Sequence, residues 1–190
     1  GLKRGWIEAQ ADGMIALSGG KDGDVGKALL SGNIEEAKRR TTRWMQMFPD
    51  AFFLELHRTD RDGEEEYNAL AVNLALELDC PVVATNDVRF LHQDQFEAHE
   101  VRVCIHDSRT LDDPRRERRY TDQQYLKSSE EMKALFADIP EALDNTVGIA
   151  ERCNVTLDLG NYYLPEYPLQ QGATTESTLS DLSKIGLNER

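Results

Sequence analysis

Cysteine is scarce and scattered in this chain. Its three cysteines, Cys80, Cys104 and Cys153, are far apart and odd in number. That argues against a disulfide framework and leaves no Cys-x-x-Cys pair for zinc, so they read as buried small hydrophobes. Long apolar runs are also missing, none approaching the ~20 residues that cross a bilayer. The opening Gly-Leu-Lys-Arg-Gly-Trp meets Glu8 and Asp12 at once, without the apolar stretch of a signal peptide. A cytoplasmic location with no membrane partner is the expectation. Positive charge is the third shortage. Lys and Arg number 22 against 35 Asp and Glu, a formal charge of -13, which opposes nonspecific binding to nucleic acid phosphates.

What is present suits one domain: 190 residues with 39% hydrophobic content, enough for a core. Met14 to Leu17 is a short apolar run that reads as a first strand. Asn33 offers a helix N-cap with Glu36 three residues on, and Ile34, Ala37, Thr41, Trp44, Met45 and Phe48 follow at helical spacing until Pro49-Asp50. Phe52 to Leu56 reads as a second strand. Tyr67, Leu70, Ala71, Leu74, Ala75 and Leu78 form a helical stripe, and Pro81 to Thr85 a third strand. Strands alternating with helices need crossover connections, so a parallel α/β sheet is expected, either a portion of a barrel or an open doubly wound sheet.

The second half reads as mainly helical. A helix is expected over Asp94 to Ile105, then an irregular loop over Ser108 to Tyr120. Ser128 with Glu131 makes a capping box, and Asp138 with Glu141 another, with Pro140 at the first helical position. Leu143, Val147, Ala150 and Cys153 are expected on the inner face. Leu164 to Thr175 has loop composition, and Glu176 to Leu187 reads as a weak helix.

Chemistry would gather where the third strand ends. Thr85, Asn86 and Asp87 form the C-terminal mouth of that strand, the place where ligands collect in parallel α/β folds. The plainer reading is an Asn-Asp turn capping the next element. His57, ending the second strand, reads as hydrogen-bonded beside Glu55 or Asp87 rather than catalytic. Gly19 to Lys27 invites a phosphate-loop reading, but the glycine spacing is wrong, Ala28 follows Lys27, and Asp22 and Asp24 repel phosphate. A turn before a helix remains. His92, His99 and His106 lack the three- or four-residue spacing of ligands on one helix, so surface or partner-facing roles are favoured. Arg115-Arg-Glu-Arg-Arg119 with Tyr120 is the one basic cluster. It reads as a solvated or salt-bridged loop, with nucleic acid contact and docking onto an acidic partner as its alternatives.

Several blocks carry a family resemblance in order: Gly13-Met-Ile-Ala-Leu-Ser-Gly-Gly20, Phe53-Leu-Glu-Leu-His-Arg58, Ala84-Thr-Asn-Asp-Val-Arg-Phe90, Phe136-Ala-Asp-Ile-Pro-Glu-Ala-Leu143 and Arg152-Cys-Asn-Val155. Over roughly residues 10 to 168 the chain resembles the bacterial DNA polymerase III alpha subunit family. The matching region is the later part of its N-terminal PHP (polymerase and histidinol phosphatase) domain.

The resemblance implies a fragment of a replicative polymerase and tips the fold toward a partial, distorted β/α barrel followed by a mainly helical segment. Residues 1–158 would be the later PHP domain and 159–190 the junction leading to the polymerase core. Active PHP domains hold divalent ions, and three of the family's ligand positions fall at Gly20, Asp87 and Arg89. Glycine offers no ligand and a guanidinium repels a cation, so the resemblance implies a degenerate site with no metal, catalytic or cofactor-binding residues here. Arg89 would pair with Asp87 or a neighbouring carboxylate. Mg2+ and DNA would be held by the rest of the polymerase. This region would serve a structural role and dock the separate proofreading exonuclease subunit. The alternative is a metal-dependent phosphoesterase or intrinsic proofreading nuclease.

Overall fold

A computed structural model describes residues 3–162 and 164–189. Its elements run α1 (Arg4–Glu8), β1 (Ala16–Leu17), α2 (Asp24–Leu30), α3 (Ile34–Met47), β2 (Phe52–His57), α4 (Glu64–Leu78) and β3 (Val82–Thr85). Then come α5 (Phe96–His106), α6 (Ser129–Leu135), α7 (Pro140–Arg152) and α8 (Thr175–Asn188). The three strands make one parallel sheet in the order β1-β2-β3. Ala16 aligns with Phe52, and Leu54 to His57 align with Val82 to Thr85. The first strand is shorter than its apolar run, because only Ala16 and Leu17 find a partner in β2.

Local chemistry accounts for most element ends. The Asn33 Oδ1 accepts a hydrogen bond from the Glu36 amide at 3.3 Å and starts α3. Gly63 and Asp79, both with left-handed backbone, bracket α4. Ser128 and Glu131 exchange hydrogen bonds across the first turn of α6. Pro140 opens α7, but Asp138 does not cap it; the flanking residue is Ile139, without a side-chain cap. The Asp138 carboxylate instead accepts from Arg58 at 2.6 and 2.7 Å.

The core joins Val25 and Leu29 of α2, Leu54 and Leu56 of β2, and Tyr67, Ala71 and Leu74 of α4 to Phe136 and Ala142. The inner face of α7 differs from the expected one. Ala142 is fully buried whereas Val147 is 58% exposed, because α7 lies close to β3 and Asn145 donates to the Val82 carbonyl at 2.8 Å. Cys80 and Cys104 are buried, but Cys153 is exposed just past the end of that helix.

Residues 1–153 make one compact unit and residues 154–190 a second. The second consists of an irregular run and α8, whose Thr174 cap shares a box with Ser177. Among the described residues no helix is long and apolar enough to cross a membrane.

Candidate functional site at the mouth of the sheet

The C-terminal ends of all three strands open on one polar cluster. Glu55, from β2, lies at its centre: one carboxylate oxygen accepts from the Gly19 amide at 3.1 Å, the other from the Thr85 hydroxyl at 2.6 Å. Burial alone would raise this carboxyl's pKa, but His57, Thr85 and the Gly19 amide together hold it below its ordinary value. From below, Ser18 Oγ accepts from the Glu55 amide at 2.9 Å and Tyr67 donates its hydroxyl to the Glu55 carbonyl at 2.9 Å. Tyr67 is fully buried, and burial pushes its pKa up to about 12. It is a bracket and carries no charge at neutral pH.

His57 sits between this carboxylate and an arginine. The Nη2 of Arg61 lies 3.2 Å from His57 Nδ1; because a guanidinium only donates, Nδ1 accepts and Nε2 carries the proton. That nitrogen stands 3.2 Å from Glu55 Oε1, off the line of a good hydrogen bond. The same imidazole closes the space above Gly20. With φ +57, Gly20 occupies the left-handed region, and a Cβ there would lie 2.6 Å from His57 Cε1 and Nδ1. No side chain fits at this position while the ring stays in place.

Asp87 is gripped from three sides. Arg89 Nη2 is 2.8 Å from Oδ1, while Arg61 Nη1 is 3.4 Å from Oδ2, which also accepts from Gln124 at 2.9 Å. Arg61 extends the network to Asp22 at 3.0 Å and to the buried Glu64 at 2.9 Å, with its own side chain only 9% exposed. Gln124 is completely buried and reaches Asp87 because residues 89–91 run beside residues 124–126. Arg89 donates to the Gln124 carbonyl, and Phe90 bridges to Tyr125.

The expected site positions therefore share one network. Gly20 meets His57, His57 meets Arg61, and Arg61 meets Asp87, which Arg89 also holds. Arg61 and Gln124 are absent from the sequence reading; one stands in an acidic turn and the other in a polar loop, with nothing local to mark them. The donor set does not fit a divalent ion. Two guanidiniums already occupy Asp87, Gly20 has no room for a ligand, and among the described residues no three His, Cys, Asp or Glu side chains converge to hold a metal.

The remaining motifs fall elsewhere. Gly20–Asp22 forms one 3-10 turn ahead of α2, so the glycine-rich stretch is a turn before a helix. His92 caps a short turn, His99 packs edge-on against Tyr120 at 4.7 Å, and His106 is exposed. Three of the cluster's four arginines are ion-paired within the chain: Arg115 with Asp113, Arg116 with the buried Glu100, and Arg119 with Asp107.

Comparison with known proteins agrees with this architecture. Residues 2–59 match the PHP domain family. All of the chain aligns with DNA polymerase III subunit alpha of Pseudomonas aeruginosa at 51% identity over 189 residues. The proteins of the same name from Pasteurella multocida and Escherichia coli K12 align at 54% and 53% over the same length. The chain spans 16% of the length of each of these relatives. With its parallel strands and PHP match, the chain has a partial α/β PHP fold and belongs to the DNA polymerase III alpha-subunit family.

Proposed function

We propose that this chain works as part of a cytoplasmic bacterial replicative DNA polymerase, and that its own contribution is structural. In this reading residues 1–158 are the later portion of a PHP domain whose metal chemistry is lost, and residues 159–190 lead toward the polymerase core. DNA synthesis, with its Mg2+ ions and its grip on DNA, belongs to residues outside these 190. The PHP region braces that core and receives the separate proofreading exonuclease subunit.

One observation carries the reading: Arg61 and Arg89 close on Asp87 where a metallohydrolase needs a cation. Each guanidinium carries a permanent charge, so a divalent ion would enter against two fixed positive charges at contact distance. Relatives named DNA polymerase III subunit alpha, matching the whole chain, support the polymerase assignment.

The test uses the full-length protein. Its activity on a chromogenic phosphodiester with Mn2+ is expected to stay at background and to be indifferent to Asp87→Asn, while primer extension proceeds. Turnover abolished by Asp87→Asn would overturn the silent-site reading in favour of a phosphoesterase. For docking, chemical cross-links to the purified proofreading exonuclease subunit are expected within residues 1–158. Cross-links confined to other regions would remove that role.

A further inference from the structure

We infer that residues 99–120 form a trough that binds a phosphate-bearing ligand, with α5 as one wall and the following loop as the other. The inference stands on charge and cavity geometry and does not depend on the polymerase reading. Residues 99–120 contain six arginines against five carboxylates, in a chain whose formal charge is -13. Every Lys or Arg between Lys38 and Lys127 is an arginine. Arginine presents a planar fork matched to phosphate oxygens, which lysine does not.

The concavity is real and extended. A cavity of about 300 Å³ is lined by His99, Arg102, Arg119 and Tyr120, and a second of about 280 Å³ by Arg109, Arg115 and Arg116 with Glu117. Asp107 lines both, so the two adjoin. Two adjoining cationic hollows suit successive phosphates of one chain better than a single small anion.

The loop wall is held in place before any ligand arrives. Arg116 and Glu100 form an ion pair in which both side chains are 8% exposed, tying the middle of the loop to α5. Arg119 binds Asp107 at 2.5 Å, and Tyr120 is fixed between the His99 ring and the Arg89 guanidinium, 5.3 Å away. Arg102, on the wall of the first cavity, has no hydrogen bond or ion pair among the described residues. It is the cation with charge to spare, while Arg116 serves as the anchor.

The test is hydrogen exchange on the full-length protein at low ionic strength, read over residues 99–120, with oligo(dT), inorganic tripolyphosphate and poly-glutamate as probes. Oligo(dT) or tripolyphosphate is expected to slow exchange there. The Arg102→Ala/Arg115→Ala variant, one arginine from each cavity, should need roughly tenfold more ligand for the same protection. Its unchanged exchange over β2 and α4 would show that the fold is intact. Protection by oligo(dT) alone, weakening with salt at a log-log slope of about -0.7 per phosphate held, marks a single-stranded nucleic acid as the source. Protection by tripolyphosphate at equal or lower concentration marks a nucleotide polyphosphate. Poly-glutamate protecting as well as the phosphates would overturn the phosphate assignment. So would no protection by any probe, or protection that the double variant leaves unchanged.

Discussion

Single residues at the sheet mouth decide what it can hold. A methyl group at Gly20 combines left-handed backbone strain with a contact at 2.6 Å to the His57 ring. Gly20→Ala is expected to cost about 1–3 kcal/mol in urea unfolding. His57→Ala in the same chain should recover part of that loss, a coupling of at least about 0.5 kcal/mol; strictly additive costs would show that the ring is not the obstacle. Glu64 is a second lever. It accepts from the buried Thr59, at 2.6 Å from the amide and 2.7 Å from the hydroxyl, and pairs with the partly buried Arg61. Glu64→Ala strands those donors and should cost about 3 kcal/mol, whereas Asp22→Ala, removing the exposed partner of the same arginine, should cost under about 1 kcal/mol by the same measurement. Asp87 was legible in the sequence because it stands just past the end of the third strand, whereas Gly20 and Arg89 were marked only by the family resemblance. Arg61 and Gln124 were not: Arg61 reaches Asp22 across 39 positions and Gln124 reaches Asp87 across 37, and no local pattern records such pairings.

Helices were legible where their ends are made locally. Asn33 with Glu36 and Ser128 with Glu131 each close a bond three residues away, and both caps stand where the spacing put them. Asp138 carried the same signal and failed, because Arg58, 80 positions away, took its carboxylate while stacking on Phe136 at 4.9 Å. The start of α6 supplies its own tests. Ser128→Ala is expected to lower stability by about 1 kcal/mol, measured by urea unfolding. Glu131, held by Tyr125 and by the Ser128 amide, has its pKa lowered from 4.5 to about 2. Its folded pKa is depressed, so its contribution is fully present above pH 4.5 and fades as the pH falls toward about 2. A carboxyl-carbon NMR titration should find the Glu131 midpoint near 2, and Tyr125→Phe should move it upward. A midpoint near 4.5 in the unsubstituted protein would mean that the box is not formed in solution.

At the scale of the whole chain, the two units differ in how they satisfy their apolar residues. The unit of residues 1–153 closes a core around β2 and α4, and the polar network at the sheet mouth is built from its residues. In residues 154–190, Val155, Leu157 and Leu159 are 83%, 72% and 84% exposed and alternate with Thr156 and Asp158 along an irregular run. Alternation of that kind is the pattern of a strand with one apolar face, and such a face left bare is prone to pair with another chain. Residues 1–153 alone should keep a cooperative urea transition, because every residue of the core cluster lies within that unit. Sedimentation velocity over a concentration series should show the 190-residue chain associating at concentrations where residues 1–153 stay monomeric. Replacing Leu157 and Leu159 with serine should restore the monomer. Association of residues 1–153 alone at the same concentrations would show that the exposed Leu157 and Leu159 are not its source.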